Sequence, residues 1–322
     1  MRSSVLPSLL LLSVAALPAL PALAADEKEP RFFPTEPDWA ERFAVDVKDG
    51  PLAGLTAKAL PIMPPLKAAT YDVTFKGELA GFDIGRVFIT TRIGETGYDI
   101  AYEMQQRGIA RWFSDGNAKS RGTGTFDGRR IDGGYYFNHD VESEDDFQKV
   151  ELVRQKGERR LRLWTNPEYW FYESVTEDMA LGAVDPMGGF IALGFPAADP
   201  GKSPCARKVK VFDGRKRFDV TLTADGISDL DDRGSGRFEG EAYKCRMRFD
   251  QVAGYRPKDR FKEAEGELWV YLAPVPEAVR TPTFAYVPVK VKAKRGIISG
   301  TLEAKFPTIT GPDGTVYPLY ED

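Results

Sequence analysis

From Tyr71 onward the chain is written in short apolar–polar alternations broken by glycine turns, and this pattern limits the fold more than any single motif. "TYDVTFKG" puts Tyr71, Val73 and Phe75 on one side and polar residues on the other, the period of a half-buried strand. "GRVFITTRI" and "GYDIAYEM" follow across Gly-Glu-Thr-Gly, which reads as a meander with short turns. "AKSRGTGTFDG", "DGGYYFNHDV", "DFQKVELVRQ" and "RRLRLW" continue the pattern. It resumes at Arg207 and runs almost to the end through "FEGEAYKCRMRF", "GELWVYLAP", "AYVPVKVKA" and "IISGTLEAKF". Two stretches break it. "RGIARWFSDG" reads as a short helix stopped by Asp-Gly. "DPMGGFIALGF", Asp185 to Phe195, reads as a second, with Asp185 as its cap and Pro186 in its first turn. The second is apolar nearly all round, so it belongs inside the sheet. No linker or repeat divides the strands. Residues 67–322 are therefore expected to form one mainly β domain: a single large antiparallel curled sheet, an open barrel or a spiral, holding one or two short buried helices.

The 66 residues before this region have a different texture. Residues 1–24 read as a secretory signal: Arg2, the apolar run "VLPSLLLLSVAALPAL", then Ala22-Leu23-Ala24 as a small-residue cleavage site. Residues 25–66 form a Pro-rich leader, with "EPDWAERFAVDV" as one candidate short helix. No later apolar run approaches the length of a membrane-crossing helix, so the mature chain is expected to carry none. The expected location is the bacterial periplasm. The net charge of −4 argues against a nucleic-acid partner. The 31 glycines and 23 prolines suit many strands joined by turns.

An exported chain with two cysteines most simply pairs them, and Cys205–Cys245 would close a loop worth roughly 4 kcal/mol on the chain-entropy model. The rival reading is a reactive thiol, but there is no C-x-x-C and no local histidine to lower a thiol pKa. Parity supports the bridge. Cys205 shares a face with Val209 and Val211, and Cys245 shares one with Tyr243, Met247 and Phe249. Between the cysteines, "KVKVFDGRKRFDVTL" is a hairpin. A two-residue Asp213-Gly214 turn would pair Val209 with Phe218. A four-residue loop, Asp213 to Lys216, would pair Val211 with Phe218 and Val209 with Val220. The second gives better apolar matches, and both keep the same faces. Either register projects Arg215 and Lys216 at the tip and starts the return strand with Arg217 on the polar face. The three form a solvated tip or, as the alternative, a contact for an anionic headgroup or polymer.

Candidate sites are few. Tyr135, Tyr136 and Phe137 lie upstream of Trp164 and of Tyr169-Trp170-Phe171-Tyr172. Successive aromatics in a strand point to both faces, so some must leave the core and line a surface or groove. That makes Tyr135, Tyr136, Trp164, Tyr169, Trp170, Phe171 and Tyr172 candidates for packing against the second helix or for a groove taking an acyl chain or glycan. His139 in "NHDVESEDDF" matches no defined metal spacing. "DGISDLDDRGSGRFEGE" fails as a calcium loop, because Arg233 and Gly240 fall on ligand positions. "RGTGTFDG" sits in strand-like text, which argues against a phosphate cradle. No G-x-S-x-G or H-E-x-x-H occurs. No metal, cofactor or catalytic residue is assigned.

Cys205 with "VFDGRKRFDVTL", Cys245 after it, "YDVTFKG", "DPMGGFIAL" and "YVPVKVKAKRGIISGTLE" together resemble the proteobacterial exported family built on domain of unknown function 3108 (DUF3108). The likeness runs from about Tyr71 to Phe306. It implies a periplasmic, mainly β protein with no established catalytic activity. More distantly, the chain is similar to envelope-integrity proteins with a long spiral sheet around a helix and to open barrels that carry lipoproteins. The expected function is non-enzymatic support of the cell envelope through a lipid, lipoprotein or glycan. Alternatives are an enzyme acting on an envelope polymer and a structural module that binds another envelope protein.

Overall fold

The alternation at Tyr71–Phe75 becomes β1 (Ala69–Leu79), in which every second residue from Ala69 to Gly77 is buried. The computed structural model describes residues 68–108, 116–128, 130–143, 146–154, 161–166, 175–197, 202–231, 236–255 and 266–320. The expected signal, the leader and most of the "RGIARWFSDG" stretch lie outside them.

β1 sits mid-sheet, and the chain grows outward from it. β2 (Phe82–Ile93), β3 (Gly97–Gln106), β4 (Asn117–Asp127), β5 (Arg130–Ser143), β6 (Asp146–Arg154) and β7 (Leu161–Asn166) add in sequence to one edge. The chain then crosses through α1 (Glu177–Leu181) and α2 (Pro186–Leu193) to the opposite edge. From there β8 (Arg207–Phe212), β9 (Arg217–Asp231), β10 (Glu239–Ala253), β11 (Glu267–Pro274), β12 (Tyr286–Arg295) and β13 (Ile298–Thr310) return strand by strand until β13 pairs with β1. β14 (Val316–Pro318) adds to β13. The described strands form one 14-stranded antiparallel sheet.

α2 lies where its composition placed it. Asp185 caps it by accepting from the Gly188 N–H at 2.9 Å, and Pro186 opens its first turn. The helix packs on β4, β8 and β12, which are far apart in the strand order, so the sheet curls around it. "RGTGTFDG" explains how the helix comes so close. A Cβ on Gly122 would stand 2.3 Å from the Cβ of Met187 on α2. These glycines make room for a helix and an aromatic ring, since Tyr98 fills the space over Gly124. Tyr98, Phe126 and Phe195 then stack along the core, with ring centroids 5.6 and 5.7 Å apart.

The two ends of the sheet meet at a seam. The tip of the β8–β9 hairpin rests on β6 and β7: a side chain on Gly214 would stand 2.4 Å from Val150 and 3.2 Å from Leu163. The chain entering α2 bridges the gap. Val184 donates to the Lys210 carbonyl at 2.9 Å, and its own carbonyl accepts from Phe212 N–H at 2.8 Å. On the other side Arg154 of β6 donates to the carbonyls of Ala180 and Ala183 at 2.9 and 2.6 Å.

The hairpin adopts the four-residue loop, with Val211 opposite Phe218 and Val209 opposite Val220. Cys205 and Cys245 are disulfide-bonded, with a Cα–Cα distance of 5.2 Å. Both are fully buried beside Val211, Phe218, Leu222 and Leu272. The bridge reaches over β9 and ties the start of β8 to β10. β9 continues past β8 from residue 223 to 231, where a register shift, Asp225, Asp229 and Asp231 mark the uncovered edge. Bulges and charges are the usual protection of such an edge.

Because α2 depends on the bare surface of Gly122, Gly122→Ala is expected to lower stability by about 1–3 kcal/mol, the usual cost of overpacking a filled core. Urea unfolding would measure it, and an unchanged midpoint would contradict this packing.

Candidate functional site

Parity along β3 to β7 sorts side chains onto two faces, and each face carries one group of candidates. The inward face holds Tyr136, opposite Gly122 and Leu152. A small cavity at the seam is lined there by Tyr136, Leu152, Arg154, Val184, Asp185 and Phe212, among others, with room for about one water. Tyr136 and Phe212, far apart in sequence, thus meet at one point. Burial raises the Tyr136 phenol pKa well above its usual value, and the carboxylates of Asp213 and Asp185 push it further. Asp213 accepts from the backbone N–H groups of Arg215 and Lys216 at 2.8 and 2.6 Å and so shapes the hairpin tip.

The basic tip is not solvated as its sequence suggested. Arg215, Lys216 and Arg217 are only 5%, 2% and 5% exposed. The reason is the seam, since a tip lying on β6 and β7 cannot project into water. Lys216 stands 5.3 Å over the Tyr255 ring. Arg217 pairs with Asp219 at 2.6 Å, and Lys208 reaches the same carboxylate at 2.7 Å. These contacts give Lys216 and Arg217 structural roles.

The outward face of β3–β7 carries the second group. Registers align Ala101, Arg121, Phe137, Glu151 and Trp164 in one row and Asp99, Thr123, Tyr135 and Val153 in the next. Arg121 holds Asp99 at 3.0 Å. Tyr135, Phe137 and Val153 are buried, yet they lie on the side away from α2. Glu151 is 0% exposed, and neither carboxylate oxygen has a hydrogen-bond partner. Burial pushes its carboxyl up to about 7, against the opposing pull of Lys149. A buried carboxyl without a donor is rare in a folded chain and makes Glu151 a functional-site candidate.

Tyr135 therefore lies on one face by register and Tyr136 on the other, while the Trp164 backbone pairs in register with Glu151. Only the backbone of Trp164 is among the described residues, and Tyr169, Trp170, Phe171 and Tyr172 lie outside them. Glu151 escaped the sequence reading because "KVELV" looks like an ordinary strand with a solvated glutamate. His139 stands on β5 opposite Lys119 and Lys149. Among the described residues no cluster of His, Cys, Asp or Glu could hold a metal.

Asp185 gives this geometry a pH signature. Burial pushes its carboxyl up to about 6 from 3.8, opposed by the Gly188 N–H and by Arg154, while Tyr98 and Tyr136 also stand nearby. The folded state then holds a proton that the unfolded chain releases earlier. This contribution to stability is complete below the unfolded value and is lost as pH rises through about 6. Asp185→Asn keeps an equally good cap but cannot titrate. Denaturant unfolding between pH 4 and 7.5 is expected to show a shallower fall for the variant, and an identical slope would contradict the assignment.

The family model described as "Protein of unknown function (DUF3108)" matches residues 70–306. No curated protein matches the chain. Among solved structures, the chain is similar to a β-barrel-like protein of domain of unknown function DUF1849 from Brucella abortus. The two are 10% identical, with a TM-score of 0.40 over 74% of this chain and 94% of that one.

Proposed function

The chain belongs to the DUF3108 family, whose function is unknown, and on that premise we propose that it is a non-enzymatic periplasmic protein that supports the cell envelope by binding an envelope ligand on the outward face of β3–β7. The observation that carries this reading is Glu151, a fully buried carboxyl that lacks a donor and stands between Phe137 and the Trp164 position. Aromatic faces beside a carboxyl that needs a donor suit a hydroxyl-rich ligand better than a bare acyl chain, which favours a glycan or the polar part of a lipoprotein. The barrel interior offers less to a lipid. α2, Tyr98, Phe126 and Phe195 occupy it, and the seam cavity has room for about one water.

For the enzyme alternative, one carboxyl pair can be set aside. Among the described residues Glu151 and Asp185 are lifted to about 7 and about 6 and lie on opposite faces of the sheet, while burial also raises Asp72, Asp99 and Asp213. Glu151 and Asp185 therefore cannot flank one substrate bond as paired acid and base.

A strain lacking this gene is expected to become sensitive to detergents and envelope-active antibiotics. Glu151→Gln, expressed at the normal level, is expected to restore resistance only in part, because an amide cannot replace the carboxylate as a two-oxygen acceptor. Unchanged resistance in the deletion strain would sink the envelope role. Full rescue by Glu151→Gln would remove the assigned face.

A further inference from the structure

The outward face of β3–β6 is dry, although none of the described helices or strands lies over it. Ala101, Phe137, Glu151 and Val153 are 0% exposed, and Tyr135 and Thr123 are also buried. Tyr135, Phe137 and Val153 belong to neither hydrophobic cluster of the interior. An antiparallel sheet with its core on one side leaves the other face to water unless something covers it. Neither described helix is that cover. α2 packs on the inner side over Gly122, and α1 is held there by Arg154, which lines the seam cavity with Tyr136 and Leu152. The burial arises within one chain, so the cover is part of this chain and lies outside the described residues.

Position and length single out the segment before β1. Thr70, Arg92, Asp99, Thr123, Tyr135 and Val153 form one register row from β1 to β6. The chain preceding the described residues ends at Lys67, at the β1 end of this row. Five strand spacings of about 4.8 Å make the row roughly 24 Å long. "KALPIMPPLK", Lys58 to Lys67, reaches about 31 Å at about 3.1 Å per residue, the rise of a proline-rich extended chain. The other stretches outside the described residues that adjoin these strands, 109–115, 155–160 and 167–174, hold at most eight residues. The chemistry of the run fits as well. Leu60, Ile62, Met63 and Leu66 supply apolar surface, and extended proline-rich chains dock on aromatic faces such as those of Tyr135 and Phe137. Pro61, Pro64 and Pro65 have no N–H to donate, so this run can bury Glu151 and the Thr123 hydroxyl and leave both without a partner, as they are.

We propose that residues 58–67 lie across the outward face of β3–β6 and cover it in the folded protein. The contact stands whether or not a ligand binds there. Where both hold, an envelope ligand reaches Glu151 only by displacing this run, which makes the leader a built-in competitor for the site.

The test uses the purified full chain with Ala59→Cys carrying a nitroxide, the native cysteines being held in their disulfide. The NMR amide signals of Ala101, Phe137 and Val153 are expected to lose most of their intensity, and those of Val270 and Leu272 on β11, on the opposite side of the barrel, to keep theirs. Mixing nitroxide-labelled chains with isotope-enriched unlabelled chains is expected to give no loss, because the contact lies within one chain. A second measurement reads the cover itself. Thr123→Cys is expected to react with a thiol reagent at least tenfold faster once Leu60→Asp, Ile62→Asp and Met63→Asp are added, at an unchanged melting temperature. Undiminished signals at the face, a loss that persists in the mixture, or a reaction rate untouched by the leader substitutions would each overturn the proposal.

Discussion

The clasp at Val184 decides what kind of object this chain is. An antiparallel sheet of 14 strands either stays open, with two raw edges, or finds some way to meet itself. Among the described residues β7 and β8 do not pair. A short stretch of the crossover does the joining, with one hydrogen bond in each direction between Val184 and β8 and two Arg154 bonds from β6 to the turn before it. The crossover that carries the chain between the edges also closes them. The same residues lead into Asp185 and α2, so closing the seam and filling the barrel are one structural event.

Several features far from the seam follow from that closure. With the ends together, the β8–β9 tip must lie on β6 and β7, which buries Arg215, Lys216 and Arg217. Burying cations requires partners, and Asp219 and the Tyr255 ring lie within reach. The disulfide holds β8 against β10 across β9, fixing the outer strand that Val184 must find. Among the described residues α2, Tyr98, Phe126 and Phe195 fill the interior, and the ligand face we propose lies on the outside of the sheet. The unbonded carboxyl of Glu151 lies on that side, buried beside Phe137.

Local rules were enough to read much of this from the residues. Asp185 and Pro186 announced α2, the alternation of Val209, Val211, Phe218 and Val220 selected the hairpin register, and parity placed both cysteines inward. Each rests on contacts within a strand, a turn or a helix end. The burial of the basic tip was not legible, because it depends on Val150 and Leu163, more than fifty residues away across the sheet. Glu151 was hidden for the same reason. Its neighbours Val150 and Leu152 point inward as the pattern requires, so the residue between them reads as solvated. Alternation assigns a side chain to a face, but it does not say whether that face meets water.

Amide hydrogen exchange at Phe212, read by NMR, tests the closure most directly. Its N–H donates to the Val184 carbonyl and so reports on the seam itself. The account predicts exchange as slow as that of Phe75 in the centre of the sheet, since opening the seam would unseat α2 and approach global unfolding. Exchange at Phe212 many orders of magnitude faster, with Phe75 still protected, would mean that the sheet is open in solution and that the clasp does not hold it.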